Sequence, residues 1–97
     1  METDSALWEH LRNEETRLRA FEVLVERHYT QVKGWIRRWV HDEALTEDLT
    51  QETFLRAWEK CHTFRGEAQF LSWLYTIARR EAFRALHKRS IWRWVPW

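Results

Sequence analysis

Turn formers are scarce in this chain, with two glycines and one proline among 97 residues. An all-β fold needs such residues at its many reversals, so their scarcity argues against one and for helices joined by short links. A single cysteine, Cys61, excludes a disulfide framework and fits a reducing, cytoplasmic setting. No stretch approaches the about 20 apolar residues of a membrane span. The first twenty residues carry charges throughout and no apolar h-region, so no secretory signal is expected. Metal-ligand spacing is also missing. Cys61 and His62 are adjacent, and neither His-x-x-x-His nor Cys-x-x-Cys occurs, so no metal and no cofactor are expected. Glu52 and His62 can be drawn as an acid–base pair, but no oxyanion site or phosphate loop accompanies them, so an enzyme is not expected.

What is present suits one small folded domain. The chain is 44% hydrophobic and 32% charged, a balance that favours folding over disorder. Its net charge of +1 hides a strong asymmetry. Residues 1–60 hold nine Lys/Arg and thirteen Asp/Glu, a net of −4, whereas residues 61–97 hold seven and two, a net of +5. A basic second part points to an anionic partner, although a merely dipolar domain carries the same signature.

Periodicity divides the chain into four helical segments. The first spans Ser5 to Arg12, with Leu7, Trp8 and Leu11 on one side, and is followed by the polar RNEET. The second spans Thr16 to Val40. There Phe21, Leu24, Val25, His28, Val32, Trp35, Ile36, Trp39 and Val40 recur at three- and four-residue steps, with Gly34 inside the pattern. Asp42 is placed to cap the third segment, Ala44 to Cys61. A loop, HTFRGEA, leads to the fourth, Gln69 to Lys88. The expected division is a helical domain over 1–89 and a tail over 90–97 whose last six residues hold three tryptophans, with Pro96 ending any helix.

With residues set about 100° apart, the third segment shows two unlike faces. Thr50, Thr53, Phe54, Ala57 and Cys61 form a core side. Asp48, Glu52, Leu55 and Glu59 lie nearly opposite, with Gln51 beside them. An apolar knob inside a charged rim suits docking onto a basic, partly apolar helix. A solvated face with one stray leucine fits the same pattern.

The fourth segment has a core stripe of Phe70, Leu74, Ile77, Ala78 and Ala85, edged by Leu71 and Ala82. Outside it run Trp73, Arg80, Arg84 and His87, while Tyr75, Arg79, Phe83 and Leu86 take the other flank. A ring that can stack on bases, followed by guanidiniums that can neutralise phosphates, is the equipment of single-stranded nucleic-acid binding. The preceding loop adds Phe64, Arg65 and Gly66, placed to hold an unstacked base. The pattern equally allows Trp73 to pack on the second segment with the arginines simply solvated. The nucleic-acid reading requires Trp73 to reach solvent and its arginines to escape internal carboxylates.

The run EDLTQETFLRAWEKCHTFRGEAQFLSWLYTIARREAFRALHKR resembles region 2 of the extracytoplasmic-function (ECF) sigma factors of the sigma-70 family. The resemblance rests on Glu47, Asp48, Leu49, Gln51, Glu52, Thr53, Phe54, Leu55, Ala57 and Trp58, then Phe64, Arg65 and Gly66. It continues through Trp73, Leu74, Tyr75, Ile77, Ala78 and Arg79. AFEVLVERHYTQV is similar to the family's preceding helix, and the likeness covers roughly residues 5–89. It implies an all-α bundle of three main helices plus a short N-terminal one. It further implies a promoter-recognition domain in which Asp48, Gln51, Glu52, Leu55 and Glu59 bind the β′ clamp helices of core RNA polymerase. The implied DNA-binding residues, for the minus-ten non-template strand, are Phe64, Arg65, Gly66, Trp73, Arg79, Arg80, Arg84, His87 and Lys88. An anti-sigma factor is a further implied partner. Many members carry asparagine where this chain has Arg80, and residues after Arg89 have no family counterpart. The family's second promoter-reading domain, a helix-turn-helix for the minus-thirty-five element, has no counterpart in these residues. A protein-interaction module that keeps the fold and reads no DNA is the alternative.

Overall fold

A computed structural model describes residues 3–63 and 69–93, with side chains through Ser90. Among the described residues there are four α-helices: α1 (Asp4–His10), α2 (Arg17–Val40), α3 (Glu43–Lys60) and α4 (Phe70–Arg93), with a 3-10 turn over Cys61–Thr63. The all-α expectation holds, with two corrections at helix ends. The first helix stops at His10 rather than Arg12, because the chain turns there. In that turn the Thr16 hydroxyl donates to the His10 carbonyl at 2.8 Å, and the Arg17 Nε to the Leu11 carbonyl at 2.6 Å. The fourth helix runs past Lys88 and across the expected 89/90 division to Arg93. Trp94, Pro96 and Trp97 of the expected tail lie outside the described residues.

The link between α2 and α3 is two residues long, and each has a defined task. His41 is left-handed (φ 52°) and donates its N–H back to the Arg37 carbonyl at 2.9 Å, closing α2. Asp42 is extended and accepts the Leu45 N–H at 2.9 Å, opening α3 as its sequence position predicts. So tight a link forces the two helices to run antiparallel. Their cross-contacts agree: Phe21 packs on Trp58, Tyr29 on Phe54, and Arg37 pairs with Glu43. Helix α4 runs parallel to α2, as shown by His28 against Phe70, Trp39 against Phe83, and Arg89 bonded to Asp42.

Leu7, Leu11, Leu24, Val32, Ile36, Phe70 and Leu74 fill the space between the helices. Three threonines of α3, at 46, 50 and 53, are fully buried there as well. Each hydroxyl donates at 2.7 Å to the carbonyl four residues earlier, on Asp42, Thr46 and Leu49. That removes the desolvation cost of the hydroxyl and leaves its methyl group to pack. Helix α1 is tied on by Asp4, whose carboxylate reaches Arg27 Nη1 and His28 Nε2, each at 2.8 Å.

Candidate functional site

The outer side of α3 follows from its inner side. With Thr50, Thr53, Phe54 and Ala57 buried, Leu55 is turned away from the bundle and stays 52% exposed. Asp48, Gln51 and Glu59 are exposed around it, and Glu52 is half-buried. Two of these carboxylates are engaged by one cation: Arg56 lies 3.3 Å from Glu52 and 3.5 Å from Glu59. Beside this stripe, on the seam with α2, Glu47 accepts from Lys33 at 2.7 Å and from the Tyr29 hydroxyl at 2.5 Å. The Lys33 and Tyr29 bonds pull the Glu47 carboxyl down to about 2. The same Glu47 bond raises the Tyr29 phenol, since it favours the protonated oxygen.

The outward row of α4 is seated by the deep burial of Phe70, Leu74, Ala78 and Ala82. Trp73 is half-buried, its ring tilted 49° against Phe70 with centroids 5.7 Å apart, so part of it reaches solvent. Arg80, Arg84, His87 and Lys88 are exposed. Arg80 forms no ion pair with any described residue, and Arg84 stands 3.8 Å from Glu81. Arg79 takes the other flank, its guanidinium 4.8 Å over the Phe83 ring. There Tyr75 also meets the edges of Trp35 and Trp39 at 5.0 and 5.4 Å. The expected loop residues Phe64, Arg65 and Gly66 lie outside the described residues.

Between the two helices lies a cleft of about 180 Å³ lined by Arg56, Lys60, Ile77, Arg80, Glu81 and Arg84. Four cations and one carboxylate surround it, a field that attracts an anion. Sequence reasoning missed Arg56, Lys60 and Glu81. Glu81 is only 7% exposed, seated on the core stripe, with Arg56 Nε 3.3 Å away. A signal for it exists: position 81 follows Leu74 by two helical turns and Ala78 by three residues, so the stripe passes through it. Ala85, expected in that stripe, is only half-buried. Among the described residues no three His, Cys, Asp or Glu side chains are placed to hold a metal ion. Cys61 is buried, which raises its thiol above the usual range.

Residues 24–91 match the Sigma-70 region 2 family. The RNA polymerase sigma-H factor of Pseudomonas aeruginosa is 39% identical over 72 residues, covering 74% of this chain and 37% of the relative. The ECF RNA polymerase sigma-E factor of Haemophilus influenzae is 38% identical over 76 residues, covering 78% of this chain and 39% of the relative. The chain thus spans under two-fifths of the length of these curated relatives. Among solved structures, an engineered region 2 of sigmaE, determined by NMR in complex with GTAAAA, superposes with a TM-score of 0.81 at 29% identity. That match covers 92% of this chain and 90% of the other. A helical bundle with these two charged faces, matched over most of its length in sequence and in shape, belongs to the Sigma-70 region 2 family.

Proposed function

We propose that this chain is a sigma-factor domain that binds core RNA polymerase through α3 and engages the opened minus-ten promoter element through α4. The observation that carries the reading is the separation of charge. Leu55 stands among carboxylates on one helix, while a reachable Trp73 and an Arg80 with no ion pair among the described residues stand on the next. The DNA-bound structural relative supports the second half of this assignment.

In this mechanism Leu55 enters an apolar site on the β′ clamp helices. Asp48, Gln51, Glu52 and Glu59 select the cationic residues around it. Duplex promoter DNA meets α4 first through phosphates, where Arg79, Arg80, Arg84, His87 and Lys88 replace counterions. As the strands part, Trp73 gives an unstacked non-template base a surface. Phe64, Arg65 and Gly66 form the other wall of that trap. The chain acts by binding and not by catalysis, in the cytoplasm where the polymerase works. No helix among the described residues is long and apolar enough to cross a membrane. An anti-sigma factor would act by covering the α3 face.

Fluorescence anisotropy with a labelled single-stranded GTAAAA oligonucleotide, alongside capture of core polymerase, tests both halves. The expected result is saturable oligonucleotide binding that weakens with salt, and polymerase capture that Glu52→Lys abolishes without weakening the oligonucleotide. Capture without oligonucleotide binding would overturn the DNA half in favour of a protein-interaction module. Indifference of both readouts to Trp73→Ala and Glu52→Lys would overturn both site assignments.

A further inference from the structure

The guanidinium of Arg56 is shared across the two faces. It lies 3.3 Å from Glu52 and 3.5 Å from Glu59 on the exposed face of α3, and 3.3 Å from the buried Glu81 of α4. Glu81 also draws Arg84, at 3.8 Å. This cluster sets three carboxylates against two guanidiniums, so it is short of one positive charge. The division of this one guanidinium among three carboxylates leaves its mark in the geometry. Arg56 Nε is buried, yet it is aligned for a hydrogen bond with no described residue, even though Glu81 is near. A guanidinium divided among three acceptors holds none of them in the parallel two-bond arrangement that makes arginine–carboxylate pairs strong. Such a group has a second arrangement available as soon as one acceptor is taken away.

We propose that Arg56 is a positioning residue through which occupancy of the α3 face strengthens anion binding in the α3–α4 cleft. The inference rests on the sigma-factor reading above. A cationic docking partner pairs with Glu52 and Glu59. The remaining cluster is then Arg56 and Arg84 against Glu81 alone, and its net charge passes from −1 to +1. Arg56 turns fully onto Glu81, and Arg84 is released toward a phosphate. Lys60 and Arg80 line the same cleft, so the gain falls where α4 receives nucleic acid. Because binding free energies are reciprocal, DNA held in the cleft tightens the grip of α3 on its partner by the same factor.

Neutralising the two α3 carboxylates by mutation imitates the partner. Anisotropy with labelled single-stranded GTAAAA is measured for the wild type, Glu52→Gln, Glu59→Gln and their combination. The same set is then measured in an Arg56→Lys background, which keeps the charge but not the fork that bridges several carboxylates. The expected result is tightening by about threefold to fivefold for the combined variant in the wild-type background. In the Arg56→Lys background the gain should shrink to below about twofold, since the coupling runs through that one side chain. Equal tightening in both backgrounds would mean a general change of charge and would overturn the role of Arg56. Unchanged affinity in the wild-type background would overturn it too. Failure of the wild type to bind the oligonucleotide would overturn the DNA reading itself, and this inference with it.

Discussion

Along the seam between α2 and α3, charge is matched within the chain. Lys33 lies 2.7 Å from Glu47, and Arg37 makes two bonds to Glu43 at 2.8 and 3.0 Å. Along the outer row of α4 the cations outnumber their acceptors. Arg80 is unpaired among the described residues, and Arg84 has a share of Glu81 at 3.8 Å. Both regions are helical, partly exposed and rich in long charged side chains. They differ in whether an opposite charge lies across the groove. The matched seam serves the fold, though modestly, since exposed ion pairs contribute about 0–1 kcal/mol each. The unmatched row keeps a field that only an external anion can satisfy.

The comparison breaks most completely in the core that joins α2 to α4. Phe70 is 2% exposed, packs on His28 and supports Trp73. Phe70→Ala should cost about 3–5 kcal/mol in urea unfolding and weaken oligonucleotide and polymerase binding together. On the unmatched row alone, Trp73→Ala should cost about 1–3 kcal/mol of oligonucleotide binding by anisotropy, the value of one stacked base. Arg80→Ala should leave the urea midpoint nearly unchanged. It should flatten the dependence of log affinity on log salt by about 0.7, the contribution of one phosphate contact to a single strand.

The smallest effect belongs to the matched seam. Glu47 is held at about 2, below its ordinary 4.5, by Lys33 and Tyr29. A carboxyl depressed on folding contributes stability above its unfolded value and loses it as pH falls through the folded one. The stability difference between wild type and Glu47→Gln should therefore be level above pH 4.5 and close as pH falls toward 2. Thermal melts across that range check it, and a difference that persists at the acid end would refute the role of the seam.

Much of the fold was legible because periodicity reports faces. The buried set Thr50, Thr53, Phe54 and Ala57 on one side of α3, continued by Cys61 just past its end, and exposed Leu55 on the other side follow from spacing alone. Asp42 at the head of α3 was readable from its position. Glu81 was not. A carboxylate on a core stripe looks like an interruption until Arg56 is found across the groove. Tyr75 and Phe83 had a visible flank, but their contacts with Trp35 and Trp39 depend on the parallel packing of α2 and α4. The polar loop before Arg17 fixed the end of α1 through side-chain bonds that spacing does not encode.

By itself, the order of residues determined that this chain makes helices and that two of them carry opposite charge on their outward sides. Both are local properties, set by the helical repeat and by which side chains recur on it. Tertiary structure decided which charges are consumed and which remain. That depends on distances between helices: Arg56 meets Glu81 across a groove, while Arg80, on the same stretch of α4, meets no described carboxylate. Attraction between ions weakens as separation and solvent screening grow, so a few ångströms of packing separate a charge spent on folding from one left for a partner.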